Sequence, residues 1–219
     1  MMYPDVAIVD PSLTQSMPKN VTAFTGMDAL TQLIESFVSK SANPYTDALC
    51  KDGIARISRS FKSAFDNGED LNARTDISLA ALFSGIALAN AKLGAVHGIA
   101  GPMGGMIKAP HGLICARLLA LVMEENVKQL RKNDSHSSAL IKFQEVAGLL
   151  TADKEAAIED GTEWIRDLVK YMKIPCLSDF GLDRAVCRSL GDKALKTSSI
   201  KGNPVELTRE QITAILEKR

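Results

Sequence analysis

The chain has 219 residues, long enough to bury a substantial core as one domain. Its 26 Lys and Arg balance its 26 Asp and Glu, which removes any electrostatic case for a nucleic acid or an anionic membrane surface as partner. Aromatic residues are only 5% while Ala and Leu are abundant, a balance that favours packed helices over a β-sandwich.

The opening residues, MMYPDVAIVD, carry neither the basic n-region nor the apolar h-region of a signal peptide. Residues 6–9, VAIV, read as a short buried strand closed by the turn signal Asp10-Pro11-Ser12. No second convincing strand follows. A lone strand leaves its backbone groups unpaired, so this one is expected to pair with another chain or to belong to a sheet outside this sequence.

Helical signals take over after Pro18. In TAFTGMDALTQLIESFVSK, Leu30, Leu33, Ile34, Phe37 and Val38 follow the i, i+3, i+4, i+7 spacing of a buried stripe. Asn43-Pro44 reads as an N-cap with proline at the first helical position. The helix it opens places Cys50, Ile54, Ile57, Phe61 and Phe65 on one face and stops at Asn67-Gly68. Residues 71–90 predict a mostly buried helix, apolar all round in its second half. The most apolar segment, ISLAALFSGIALANA, is too short and too polar to span a bilayer, so a soluble protein with no membrane partner is expected. A glycine-rich stretch follows, then a helix over 111–130 and a polar loop over 131–138 containing a solvated His136. Further helices are predicted at 138–150, 153–173 and 183–196, and a last short one behind an N-cap at Thr208. Cys50, Cys115, Cys176 and Cys187 form no CxxC pair, so reduced thiols in a cytoplasmic protein are expected.

The stretch LGAVHGIAGPMGGMIKAPHG holds His97 and His111, two of the chain's three histidines. Two readings compete. One makes them core histidines, each with a satisfied nitrogen. The other has Pro110 break the chain before His111, and Gly98, Gly101, Gly104 and Gly105 allow a tight approach that brings both imidazoles to one point. Two imidazoles with one carboxylate suit Zn²⁺ or Fe²⁺ and leave positions open for substrate. The carboxylate candidate is Asp28, opposite the apolar stripe and in line with Thr31, Gln32 and Glu35. Its competing reading is a capping box, Thr25-x-x-Asp28, at the start of a helix. GPMGGM matches neither G-x-G-x-x-G nor the P-loop, so a phosphate cradle is discounted. Lys92, Met103 and Met106 are candidates to flank the resulting cleft.

Three stretches together carry a family resemblance. VAIVDPSLTQSMPKNVTAFTGMDALTQLIESFVSKSANPYTDAL, LANAKLGAVHGIAGPMGGMIKAPHG and KGNPVELTREQITAIL resemble the iron-containing, group III alcohol dehydrogenases, in order and spacing over nearly the whole chain. The resemblance implies an all-α fold, a multi-helix bundle of the dehydroquinate synthase-like, iron-alcohol-dehydrogenase C-terminal type. It makes residues 1–15 a connector from a nucleotide-binding domain and 16–219 the helical metal-binding domain. It implies Asp28, His97 and His111 as metal ligands for Fe²⁺ or Zn²⁺. NAD(P) is then bound mainly by a domain that this sequence does not contain, as its own or a separate chain, and a small alcohol or aldehyde is the substrate.

Two positions depart from the family's pattern. The fourth ligand of iron-dependent members, a His one turn after the Asp, is Gln32, which argues against iron more than against metal. A further His that lies near substrate in many members is Gly101. The implied function is the C-terminal half of an NAD(P)-dependent alcohol dehydrogenase, inactive without its nucleotide-binding half. Within that class a maleylacetate reductase-like activity is an option. The alternative is a non-catalytic, stand-alone helical scaffold or partner-binding module, and a homo-oligomer is compatible with either.

Overall fold

The structure, a computed structural model, describes residues 6–218. Among them the chain forms helices α1 (Lys19–Val38), α2 (Pro44–Asp66), α3 (Leu71–Ala91), α4 (Ala95–Gly104), α5 (His111–Asn133), α6 (Ser138–Thr151), α7 (Ile158–Tyr171), α8 (Arg184–Ala194) and α9 (Arg209–Glu217). Short 3₁₀ turns lie at Pro11–Thr14, Leu177–Phe180 and Ser199–Gly202. The described part is all-α, as expected. The expected strand over residues 6–9 does not form: the segment has no regular structure and lies exposed. With no second strand among the described residues, its backbone has no ladder to join there.

The central helix is α1, packed against α2, α3 and α5. It enters at Pro18, whose φ of −58° suits a helix start and which has no N–H to leave unpaired. Met27, Leu30, Leu33, Ile34 and Phe37 bury its apolar face against Ile54, Ile57 and Phe61 of α2 and Leu113, Ile114 and Leu118 of α5. The Asn43 cap of α2 forms as expected. Its side chain accepts from the Thr46 amide, and Thr46 reaches back to the Asn43 amide. Thr208 caps α9 in the same reciprocal way with Gln211.

Three expectations need correction. First, α3 is not mostly buried, although its second half is apolar all round. Ala80, Ser84, Ala87 and Ala91 form a narrow buried stripe, while Leu88 is 39% exposed. Apolar composition alone does not say how many neighbours a helix has. Second, α5 runs on to Asn133, which shortens the loop expected over 131–138, although His136 is exposed as expected. Third, α1 begins at Lys19, so Asp28 lies inside the helix and Thr25 caps nothing; its hydroxyl donates to the Val21 carbonyl.

The joint between α3 and α4 directs the site. The chain bends by 101° there, with Lys92 at φ 60°. A non-glycine residue in that region costs about 1–3 kcal/mol unless its surroundings hold it. Here the Ser39 hydroxyl donates to Ala91 O at 2.5 Å and the Ser36 hydroxyl to Lys92 O at 3.4 Å. Gly202 presses on the same turn, where a Cβ would stand 2.1 Å from Leu93 O. The bend aims the start of α4 at the flank of α1. No single helix among the described residues is long and apolar enough to cross a membrane.

Candidate metal centre

Three helices deliver the site. Asp28 projects from the middle of α1, His97 from the first turn of α4, and His111 and Cys115 from the first turns of α5. His97 Nε2 lies 3.1 Å from Asp28 Oδ1, and His111 Nε2 lies 3.5 Å from the same oxygen. Cys115 Sγ lies 3.6 Å from His111 Nε2 and 3.9 Å from His97 Nε2. One ligand atom from each of the four residues falls within 4.8 Å of all the others. The two rings stand 5.4 Å apart and tilt by 51°. The structure thus brings together all three residues singled out from the sequence. The donor set, a carboxylate oxygen, two imidazole nitrogens and a thiol sulfur, fits a borderline-soft divalent cation such as Zn²⁺ or Fe²⁺.

Glu35, two turns after Asp28 on α1, holds His97 in place. The carboxylate is buried and accepts from the amides of Val96 (2.6 Å) and His97 (3.3 Å), so it caps the N-terminus of α4 with negative charge. It also lies 2.7 Å from His97 Nδ1. An ionised carboxylate only accepts, so the Nδ1 proton faces Glu35 and Nε2 faces the cluster. Asn203 completes the cap by accepting from the Ala95 amide, and it exchanges two hydrogen bonds with Asn126 of α5.

Gln32 does not point its oxygen at the cluster. Its Nε2 donates to Asp28 Oδ2 at 3.0 Å, and its Oε1 accepts from the Ser84 hydroxyl at 2.8 Å. It fixes the second oxygen of Asp28 and leaves Oδ1 for the imidazoles.

Burial by itself would push the pKa of His97 down. Hydrogen bonds to Asp28, Cys115 and Glu35 and the charge of Glu35 outweigh that, and its pKa rises to about 12. Burial would raise Asp28, yet the His97 hydrogen bond and the two imidazoles hold it below the usual carboxylate range. Burial dominates at Cys115 and pushes its thiol up to about 12. A proton on His97 Nε2 thus bridges to Asp28 Oδ1, the place that a bound cation would take.

Access is one-sided. The side chain of His97 is 7% exposed and Asp28 24%, but His111 is 47% exposed. It faces a cleft of about 410 Å³ lined by Asn20, Val21, Phe24, Thr25, Asp28, Pro110 and Gly112. Lys92, Met103 and Met106, expected to flank the cleft, do not line it; Met103 is fully buried in the core. The glycines also divide differently from expectation. A Cβ on Gly101 or Gly104 would meet nothing within 4 Å, whereas one on Gly98 would crowd Ile200. The tightest approach is at Gly112, where a Cβ would stand 2.0 Å from Phe24 O and push α5 off α1. A larger cleft of about 560 Å³, lined by Arg117, Arg166, Lys170 and Lys173, shares no residue with the cluster.

Residues 22–219 match the family model described as the C-terminal part of the Fe-containing alcohol dehydrogenase family. The chain belongs to the iron-containing alcohol dehydrogenase family. Alcohol dehydrogenase 4 of Saccharomyces cerevisiae is 36% identical over 216 residues, which are 98% of this chain and 54% of that protein. The 1,3-propanediol dehydrogenase of Klebsiella pneumoniae is also 36% identical over 216 residues, 98% of this chain and 55% of that enzyme. The crystal structure of a 1,3-propanediol oxidoreductase superposes with a TM-score of 0.87 at 34% identity, covering 95% of this chain and 54% of that one. The chain therefore spans about half the length of the curated relatives it matches, and the helical fold described above is that of the C-terminal half of the iron-containing alcohol dehydrogenases.

Proposed function

We propose that this chain supplies the metal-holding, alcohol-facing half of an NAD(P)-dependent alcohol dehydrogenase. The observation that carries this reading is the convergence of Asp28, His97 and His111 from three helices at the head of an open cleft. Residues 16–219 act as the helical metal-binding domain and residues 1–15 as the connector to a nucleotide-binding domain. The exposed side chains of Val6 (77%) and Ile8 (89%) support a segment meant to pack elsewhere.

When bound, Fe²⁺ or Zn²⁺ supplies a Lewis acid that holds the alcohol oxygen and favours its deprotonation. Asp28 Oδ1 and the Nε2 atoms of His97 and His111 would hold the ion. Glu35 fixes the tautomer and angle of His97, and Gln32 fixes Asp28. Phe24 and Val21 give the cleft an apolar wall suited to a small alcohol or aldehyde. A nicotinamide held by the nucleotide-binding domain would supply the hydride-accepting chemistry.

Elemental analysis of the chain and of its H111A variant tests the reading. Stoichiometric Zn²⁺ or Fe²⁺ is expected in the parent and clearly less in the variant, with helical content unchanged because His111 lies at a half-exposed helix start. A parent chain that takes up no divalent metal refutes the assignment.

A further inference from the structure

Asp28, His97 and His111 are three ligands, and the position of the family's fourth is occupied by Gln32. Both ends of that amide are engaged, by Asp28 and by Ser84, and its oxygen turns away from the cluster. Cys115, one turn after His111 on α5, brings its sulfur in from the core side instead. Its side chain is completely buried. Its polar neighbours are His97, His111 and Asp28.

The spacing is that of ligands around one ion. With Zn–S of about 2.3 Å and Zn–N or Zn–O of about 2.0–2.1 Å at tetrahedral angles, sulfur stands about 3.6 Å from each nitrogen, and oxygen about 3.4 Å from nitrogen. The observed S···N distances are 3.6 and 3.9 Å. The observed O···N distances are 3.1 and 3.5 Å. Packing a buried cysteine against apolar neighbours needs no such match, and the match involves four side chains from three helices.

We propose that Cys115 is the fourth ligand of this centre, completing an Asp28/His97/His111/Cys115 set that prefers Zn²⁺ to Fe²⁺. This rests on the metal reading above and extends it to a residue which that reading does not need. Coordination is through the thiolate, and the thiol proton leaves to solvent as the metal binds. A thiolate is a softer donor than the imidazole or amide that could otherwise stand fourth, which shifts preference toward zinc. The half-exposed His111 side chain keeps this set in reach of the cleft, so a bound ion would remain accessible to a small molecule there.

Titration of the metal-free chain with Co²⁺ separates the claims. Tetrahedral cobalt gives visible d–d bands, and a thiolate ligand adds an intense near-ultraviolet charge-transfer band. Both are expected in the parent. C115S keeps the d–d bands, loses the charge-transfer band and binds Zn²⁺ at least about tenfold more weakly, since even an outer partner of a ligand is worth that much. C115A is expected to do the same, and C176S, at an exposed cysteine, to behave like the parent. Parent d–d bands without charge transfer overturn the Cys115 assignment and leave Asp28, His97 and His111 standing. A charge-transfer band that survives in C115S and C115A overturns it too, and no cobalt bands in any form overturn the three-ligand reading with it.

Discussion

At the scale of single residues, Glu35 shows how one buried carboxylate serves two ends. It closes the first turn of α4 and orients the imidazole that this turn carries. The two roles are coupled because His97 lies one residue past the Val96 amide that Glu35 caps. In E35Q the amide group keeps one acceptor oxygen but presents N–H to either the helix end or His97 Nδ1. In the first case the cap of α4 is lost, and in the second the imidazole loses the acceptor that directs Nε2 inward. Metal affinity is expected to fall about 10–100-fold with the fold intact, which competition against a chelator and a circular-dichroism spectrum measure together. Unchanged affinity refutes a positioning role for Glu35.

At the scale of elements, α2 and α3 are joined by a charged seam. Asp76 of α3 accepts from Arg56 Nη1 at 2.7 Å, Arg59 Nε at 2.8 Å, Arg59 Nη2 at 2.7 Å and Ser60 Oγ at 2.6 Å, all from α2. Burial would raise its pKa, but the hydrogen bonds from Arg59 and Ser60 outweigh that and hold it below the ordinary 3.8. A depressed folded-state pKa adds stability that is present above 3.8 and lost as pH falls through the lower folded-state value. D76N is therefore expected to cost about 2 kcal/mol at neutral pH, in line with hydrogen bonds to a charged group. The gap between variant and parent should shrink as pH falls below 3.8. Urea unfolding at several pH values measures this; a gap that does not change with pH refutes the ionic account.

At the scale of the whole molecule, the described residues contain helices and no strand, hence no α/β nucleotide-binding unit. The proposed division of labour puts NAD(P) on another domain. A ligand raises the melting temperature only of what it binds. NAD⁺ or NADP⁺ is therefore expected to leave the melting temperature of the 219-residue chain unchanged, while Zn²⁺ raises it. A saturable shift with either nucleotide places a nucleotide site within these helices and overturns the division.

The helical class, the apolar stripe of α1 and the caps at Asn43 and Thr208 were legible in the residues alone, which raised His97 and His111 as a pair but left core and metal readings open. Each is written in local spacing: a 3.6-residue period, a cap residue before it, a proline before His111. Asp28 entered as a carboxylate candidate from its place opposite the apolar stripe, with a capping box as the competing reading, and the resemblance then implied it as a ligand. That Asp28 lies in mid-helix emerged from the structure, since α1 starts at Lys19 behind an exposed Pro18 and not at the equally cap-like Thr25. Only the tertiary structure decided that α3 is buried along one narrow stripe, since burial is a property of neighbours. Cys115 and Glu35 show the limit most clearly. Each stands at helical spacing from a residue that the sequence did single out, four after His111 and seven after Asp28. Spacing along one helix says which residues share a face, and only the 101° bend between α3 and α4 says what that face meets.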